Sequence, residues 1–127
     1  MSENVIFTSR QKEAIVSLII EMINIDRKIT LEELHTSNVI NSELAITDDI
    51  FRVGCALDVN YAINIVKEMD DEHKLYTGLL LTRIIDADGE VNDDEIVLLT
   101  HICNETGITE LIDSKDEDEE LNWYSRP

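Results

Sequence analysis

Between Asp86 and Glu95 the chain reads Asp-Ala-Asp-Gly-Glu-Val-Asn-Asp-Asp-Glu, which crowds oxygen-bearing side chains into one short stretch. Carboxylate, amide and backbone-carbonyl oxygens are hard donors, suited to calcium, magnesium or manganese rather than zinc. In a cation site here Asp86, Asp88 and Glu95 supply carboxylates, Asn92 an amide and Glu90 its backbone carbonyl. Leu79, Leu80, Leu81, Ile84 and Ile85 make an apolar helical face leading in, and Gly89 stands where a left-handed residue ends a helix. Asn92 and Glu95, three apart before Ile96, are close to a capping box opening the next helix. Asp86 and Asp88 then fall at the negative end of a helix dipole, where each acid costs a few tenths to about 1 kcal/mol. A bound cation removes that cost. The competing reading is a solvated, capped turn with no ligand.

An EF-hand loop aligned on Gly89 puts Asp86 and Asp88 on its second and third ligand positions, with Asn92 and Glu95 on later ones. The leading position holds Ile84, so this is not a proper EF-hand, and any ion takes fewer protein ligands and more water. Elsewhere, no nucleophile–base–orienter set can be read from His35, His73 and His101, which lie far apart in sequence. Cys55 and Cys103 each sit in a helical pattern and read as small core residues. The chain is expected not to be an enzyme.

The elements that position the acidic turn follow from composition and period. A chain of 127 residues, 43% hydrophobic and 30% charged, fits one globular domain with a real core. Four Gly and a single C-terminal Pro leave little to interrupt helices. A net charge of −18 argues against nucleic acid and anionic lipid, and favours cations or basic protein partners. There is no signal-peptide pattern and no apolar run long enough for a bilayer, so a cytoplasmic protein without membrane insertion is expected.

Taken in order, residues 1–8 read as a loose N-terminus, and Thr8 with Gln11 caps a helix over about 9–26. Its core side is Ala14, Ile15, Leu18, Ile19, Met22 and Ile23. Thr30 and Glu33 cap a second helix carrying Leu31, Leu34 and Val39. Thr47 opens a short third helix, Asp58 a fourth, Asp70 or Asp71 a long fifth to Asp88, and Asn92 a sixth from Asp93 to Thr106. A last short turn follows Thr109. The spacing predicts an all-α fold, a single compact bundle of about six or seven helices, over residues 1–112. Residues 113–127, with the acidic run Asp116–Glu120, read as a mobile tail.

A shift of 62 residues (88 − 26) lays Asp26 on Asp88, Leu18 on Leu80, Met22 on Ile84, Thr30 on Asn92 and Glu33 on Glu95. The predicted bundle is therefore an internal duplication, with two helix–turn–helix units about a pseudo-twofold axis. The first turn departs in kind: Arg27 and Lys28 replace Gly89 and Glu90, and Asn24 replaces Asp86. It neutralises itself, so Asp26, Thr30 and Glu33 form at most a degenerate second site.

The stretch from Leu79 to Ile108, LLLTRIIDADGEVNDDEIVLLTHICNETGI, resembles the second half of the TerB-like tellurite-resistance domain. Asp88, Gly89 and Glu95 match that family's aspartate-glycine, then glutamate turn, and Asp26 and Glu33 match its first occurrence, where Arg27 departs. The resemblance implies about seven helices, an internal duplication and metal bound by the acidic turns. It also implies a role in stress or tellurite resistance and protein partners at the inner membrane face. The expected function is thus a non-enzymatic module that binds a divalent cation at residues 86–95. The alternative is a protein-interaction module using its acidic surface and tail, with no metal.

Overall fold

Every residue of α1 (Ser9–Asn24) from Ala14 to Ile19 is buried. A helix enclosed on all sides over more than a turn must lie at the centre of its bundle. Around α1 pack α3 (Asp48–Ala56), α4 (Val59–Lys67), α5 (Asp71–Asp86) and α6 (Asp93–Thr106). α2 (Leu31–Glu43) lies on α5, and α7 (Ile108–Lys115) packs on α5 and α6. The computed structural model describes residues 5–25, 29–87, 89 and 93–115, and among them all regular structure is helical. Ile15, Leu18, Met22, Leu80, Leu81, Ile84 and Ile102 meet in one core, each contributing about 1.5–3 kcal/mol by burial.

Helix starts fall where side-chain oxygens meet orphan N–H groups. Thr8 and Gln11 form the reciprocal box at α1, with Gln11 N donating to Thr8 Oγ1 at 3.1 Å and Thr8 N to Gln11 Oε1 at 2.9 Å. Thr47, Asp58 and Asp70 cap α3, α4 and α5. α1 stops at Asn24 and α5 at Asp86, each short of the predicted end. Gly107, at φ 89, turns the chain so that α7 starts at once and runs to Lys115, past the boundary read at residue 112.

Four sequence readings need correction. Residues 5–8 are tied down: Phe7 is buried, with His73 and Tyr76 edge-on to its ring, and the Ile6 carbonyl accepts from His73 Nε2 at 2.8 Å. α2 presents Leu31, Leu34 and Val39 to solvent and buries Glu33, Ser37 and Ile40 instead. Leu79 is likewise exposed, although Leu80, Leu81, Ile84 and Ile85 face the core as expected. Cys55 is exposed rather than buried, while Cys103 packs against the core, and both thiols are free.

The duplication is visible in helix boundaries and burial. α1 spans Ser9–Asn24 and α5 Asp71–Asp86, which coincide under the same shift (71 − 9 and 86 − 24). α2 and α6 start in the same register, at Leu31 and Asp93. Burial follows: Ile19 with Leu81, Glu33 with Glu95, Ile40 with Ile102, and Leu44 with Thr106 are all buried pairs. α4 has no counterpart among the described residues and bridges the copies, touching α1, α5 and α6. A close approach also recurs with its glycine exchanged. In the first copy Gly54 of α3 faces Val16 of α1; in the second, Gly78, the positional mate of Val16, faces Ile108 of α7.

Candidate functional site

α5 enters the acidic turn with Ile84 and Ile85 buried and Asp86 exposed as its last helical residue. Ala87 N donates to Ile84 O at 3.3 Å and Gly89 N to Asp86 O at 3.1 Å, and Gly89 adopts φ 77, so the left-handed turn expected at this glycine forms. Because Ile84 is fully buried, the position that leads an EF-hand points into the core. Asp88, Glu90 and Asn92 lie outside the described residues, as does Asp26 of the first turn. Glu95, in the first turn of α6, is only 2% exposed and has an interaction partner within the protein, as does Asp94.

In the first copy, Glu33 is also 2% exposed. Its Oε1 accepts from Thr30 N at 3.1 Å, while Thr30 Oγ1 accepts from Glu33 N at 3.1 Å. Thr30 and Glu33 therefore close a reciprocal cap, which commits an oxygen of each to the backbone. Among the described residues no group of three His, Cys, Asp or Glu converges on a point that could hold a metal, and no buried side-chain polar atom lacks a partner.

The start of α2 lies beside the end of α5. Leu31, Glu32, His35 and Thr36 of α2, just past the first turn, line a hollow of about 300 Å³ with Ala87 of the second. An adjoining hollow of about 290 Å³ is lined by Thr36, Val39, Arg83, Asp86 and Ala87. Together they form an open groove along the α2–α5 seam, where the helices run in opposite directions. Arg83, at the α5 side, does not reach for Asp86. Its NH1 and NH2 donate to both carboxylate oxygens of Glu43 at 3.0 and 2.9 Å, a fork that lowers the Glu43 pKa and raises that of Arg83. Asp86 thus has no ion-pair partner among the described residues.

Sequence reasoning missed this groove. Its signal was available as Leu31, His35 and Val39, spaced four apart along one stripe of α2, but that stripe reads equally well as a core face. His73 was also passed over. Its Nδ1 lies 2.7 Å from Asp70 Oδ1 and its Nε2 meets Ile6 O, both of them acceptors, so the ring satisfies both only as imidazolium. Cys55 and Cys103 are both held protonated, their pKa raised by burial, which leaves no activated thiolate.

No protein-family model matches the chain, and no curated protein matches it. A solved structure does: the crystal structure of the protein of unknown function PG1108 from Porphyromonas gingivalis W83, with a TM-score of 0.69 and 24% sequence identity over 81% of this chain and 86% of that one. The likeness is one of fold.

Proposed function

We propose that the chain is a non-enzymatic, TerB-like helical module that takes a divalent cation at the second inter-helix turn. Asp86, Asp88 and Glu95 serve as carboxylate ligands, Asn92 as an amide ligand and Glu90 through its carbonyl. Calcium, magnesium and manganese are the ions such oxygens suit.

The observation that carries this reading is the charge at the end of α5, which has no ion-pair partner among the described residues. Asp86 closes a helix whose dipole is negative there, and the nearby guanidinium of Arg83 is spent on Glu43. The first turn differs in sequence, since Arg27 and Lys28 flank its Asp26, and Thr30 and Glu33 cap α2. One cation per chain, at the second turn, follows from that asymmetry. Free cysteines suit the reducing cytoplasm, and a role in stress or tellurite resistance comes from the TerB resemblance.

Thermal melts of chelator-treated protein, repeated with calcium, magnesium or manganese, test the proposal. A ligand at 100 times its dissociation constant adds about 2.7 kcal/mol of stability. At least one ion raises Tm by several degrees, and Asp88→Asn abolishes the rise. Melts that stay the same with every ion at millimolar concentration overturn it.

A further inference from the structure

The groove along the α2–α5 seam is built differently from a solvated helix face. Leu31, 81% exposed, and Val39 line its α2 side, and Arg83, Asp86 and Ala87 line its α5 side. Exposed apolar side chains gathered along one groove mark an interaction surface more often than isolated ones do. Among the described residues the charge lining the groove is net acidic: the Arg83 guanidinium is neutralised by Glu43, which leaves Glu32 and Asp86 as acids on the walls.

We propose that this groove docks a basic amphipathic helix of a protein partner, its apolar row seated on Leu31 and Val39 and its Lys or Arg residues meeting Glu32 and Asp86. Helix-in-groove recognition needs this pairing of an apolar floor with charged walls. The stretch of α2 from Leu31 to Glu43 is about 18 Å long, room for roughly three turns of a bound helix. Charge selects the occupant. The Asp116–Glu120 run of the chain itself carries the same sign as Glu32 and Asp86. A second copy brings another net charge of −18 and sets the same acids against themselves.

The test uses the full chain in chelator, so that its outcome does not depend on a cation at the second turn. A fluorescent helical peptide of Leu and Lys in amphipathic register is titrated by anisotropy. Three variants are compared: Leu31→Ser with Val39→Ser, Glu32→Lys with Asp86→Lys, and the control Asp48→Lys with Asp49→Lys on exposed α3. The proposal expects saturable binding, weakened about tenfold or more by each groove variant and less than threefold by the control. Amide NMR shifts on adding peptide should centre on residues 31–43 and 83–87, a readout that stands even if a groove variant folds poorly. Binding lost equally with the control, shifts centred elsewhere, or no binding overturns it. So does a dimer of the parent chain that Leu31→Ser with Val39→Ser turns to monomer, since the occupant is then a second copy.

Discussion

Alanine at Gly54 and alanine at Gly78 should have unequal consequences, although both glycines are helical and both lie at a helix–helix contact. A Cβ on Gly54 would sit 2.6 Å from both Cβ and Cγ1 of Val16 and 2.9 Å from the carbonyl oxygen of Glu13. Carbon atoms in contact rest about 3.5–4.0 Å apart, so the overlap is about 1 Å. None of these neighbours can swing away: Val16 Cβ is fixed to the α1 backbone, Glu13 O is backbone, and Val16 is buried. Overpacking of this kind costs about 1–3 kcal/mol or more, against roughly 0.5–1 kcal/mol gained by replacing a helical glycine. The net expectation for Gly54→Ala is a loss of about 2 kcal/mol. At Gly78 the nearest atom is Ile108 Cγ2 at 3.3 Å, close enough to need a shift of a few tenths of an ångström. There the helix-propensity gain offsets the crowding, and Gly78→Ala should fall within about 0.5 kcal/mol of the parent. Urea unfolding followed by circular dichroism measures both, provided the slopes agree. Val16→Ala should not rescue Gly54→Ala, because the clashing Cβ and carbonyl remain. A Gly54→Ala protein as stable as the parent, or equal losses at the two glycines, would refute the packing of α1 on α3 described above.

The His73 contact makes stability depend on pH. Burial disfavours its charge, but the Ile6 carbonyl and the Asp70 carboxylate outweigh that and raise its pKa. A raised folded pKa gives stability that is complete below the unfolded value of about 6.5 and is lost as pH climbs through the folded value. Asp70, its pKa lowered chiefly by the His73 backbone N–H, works in the other direction and loses its contribution as pH falls through its folded pKa. The unfolding free energy should therefore decline as pH rises above about 6.5, and His73→Gln should flatten that slope; an unchanged slope rejects the ion pair. Glu33→Ala should cost about 1 kcal/mol by leaving Thr30 N without its acceptor, while Glu33→Gln should recover most of it, both read from melting curves.

Much of the architecture was legible because local chemistry and global packing agree in it. Thr8, Thr30, Thr47, Asp58 and Asp70 each mark a helix start by a cap that works without tertiary help. The 62-residue repeat was legible because Leu18, Met22, Leu80 and Ile84 are core residues in both copies. α2 was misread for a physical reason. Its apolar residues are scattered round the helix, and the side that packs inward holds Glu33 and Ser37, whose burial depends on a cap and on the neighbouring α5. The groove was ambiguous for a related reason: the Leu31, His35 and Val39 stripe becomes a groove wall only beside α5, a helix distant in sequence. The N-terminal strap was missed because its partner, His73, is on α5, far along the chain. Of the predicted cation ligands, Asp86 and Glu95 fall within the described residues, one exposed at the end of α5 and the other buried at the start of α6.

Titration calorimetry of metal-free protein with calcium, magnesium and manganese, run in parallel on the parent chain, Asp86→Asn and Asp26→Asn, bears most directly on the central claim. Saturable heat at one ion per chain is predicted, weakened about tenfold or more by Asp86→Asn and left intact by Asp26→Asn. No heat from any of the three ions, or equal weakening by both substitutions, would contradict a cation at the second turn.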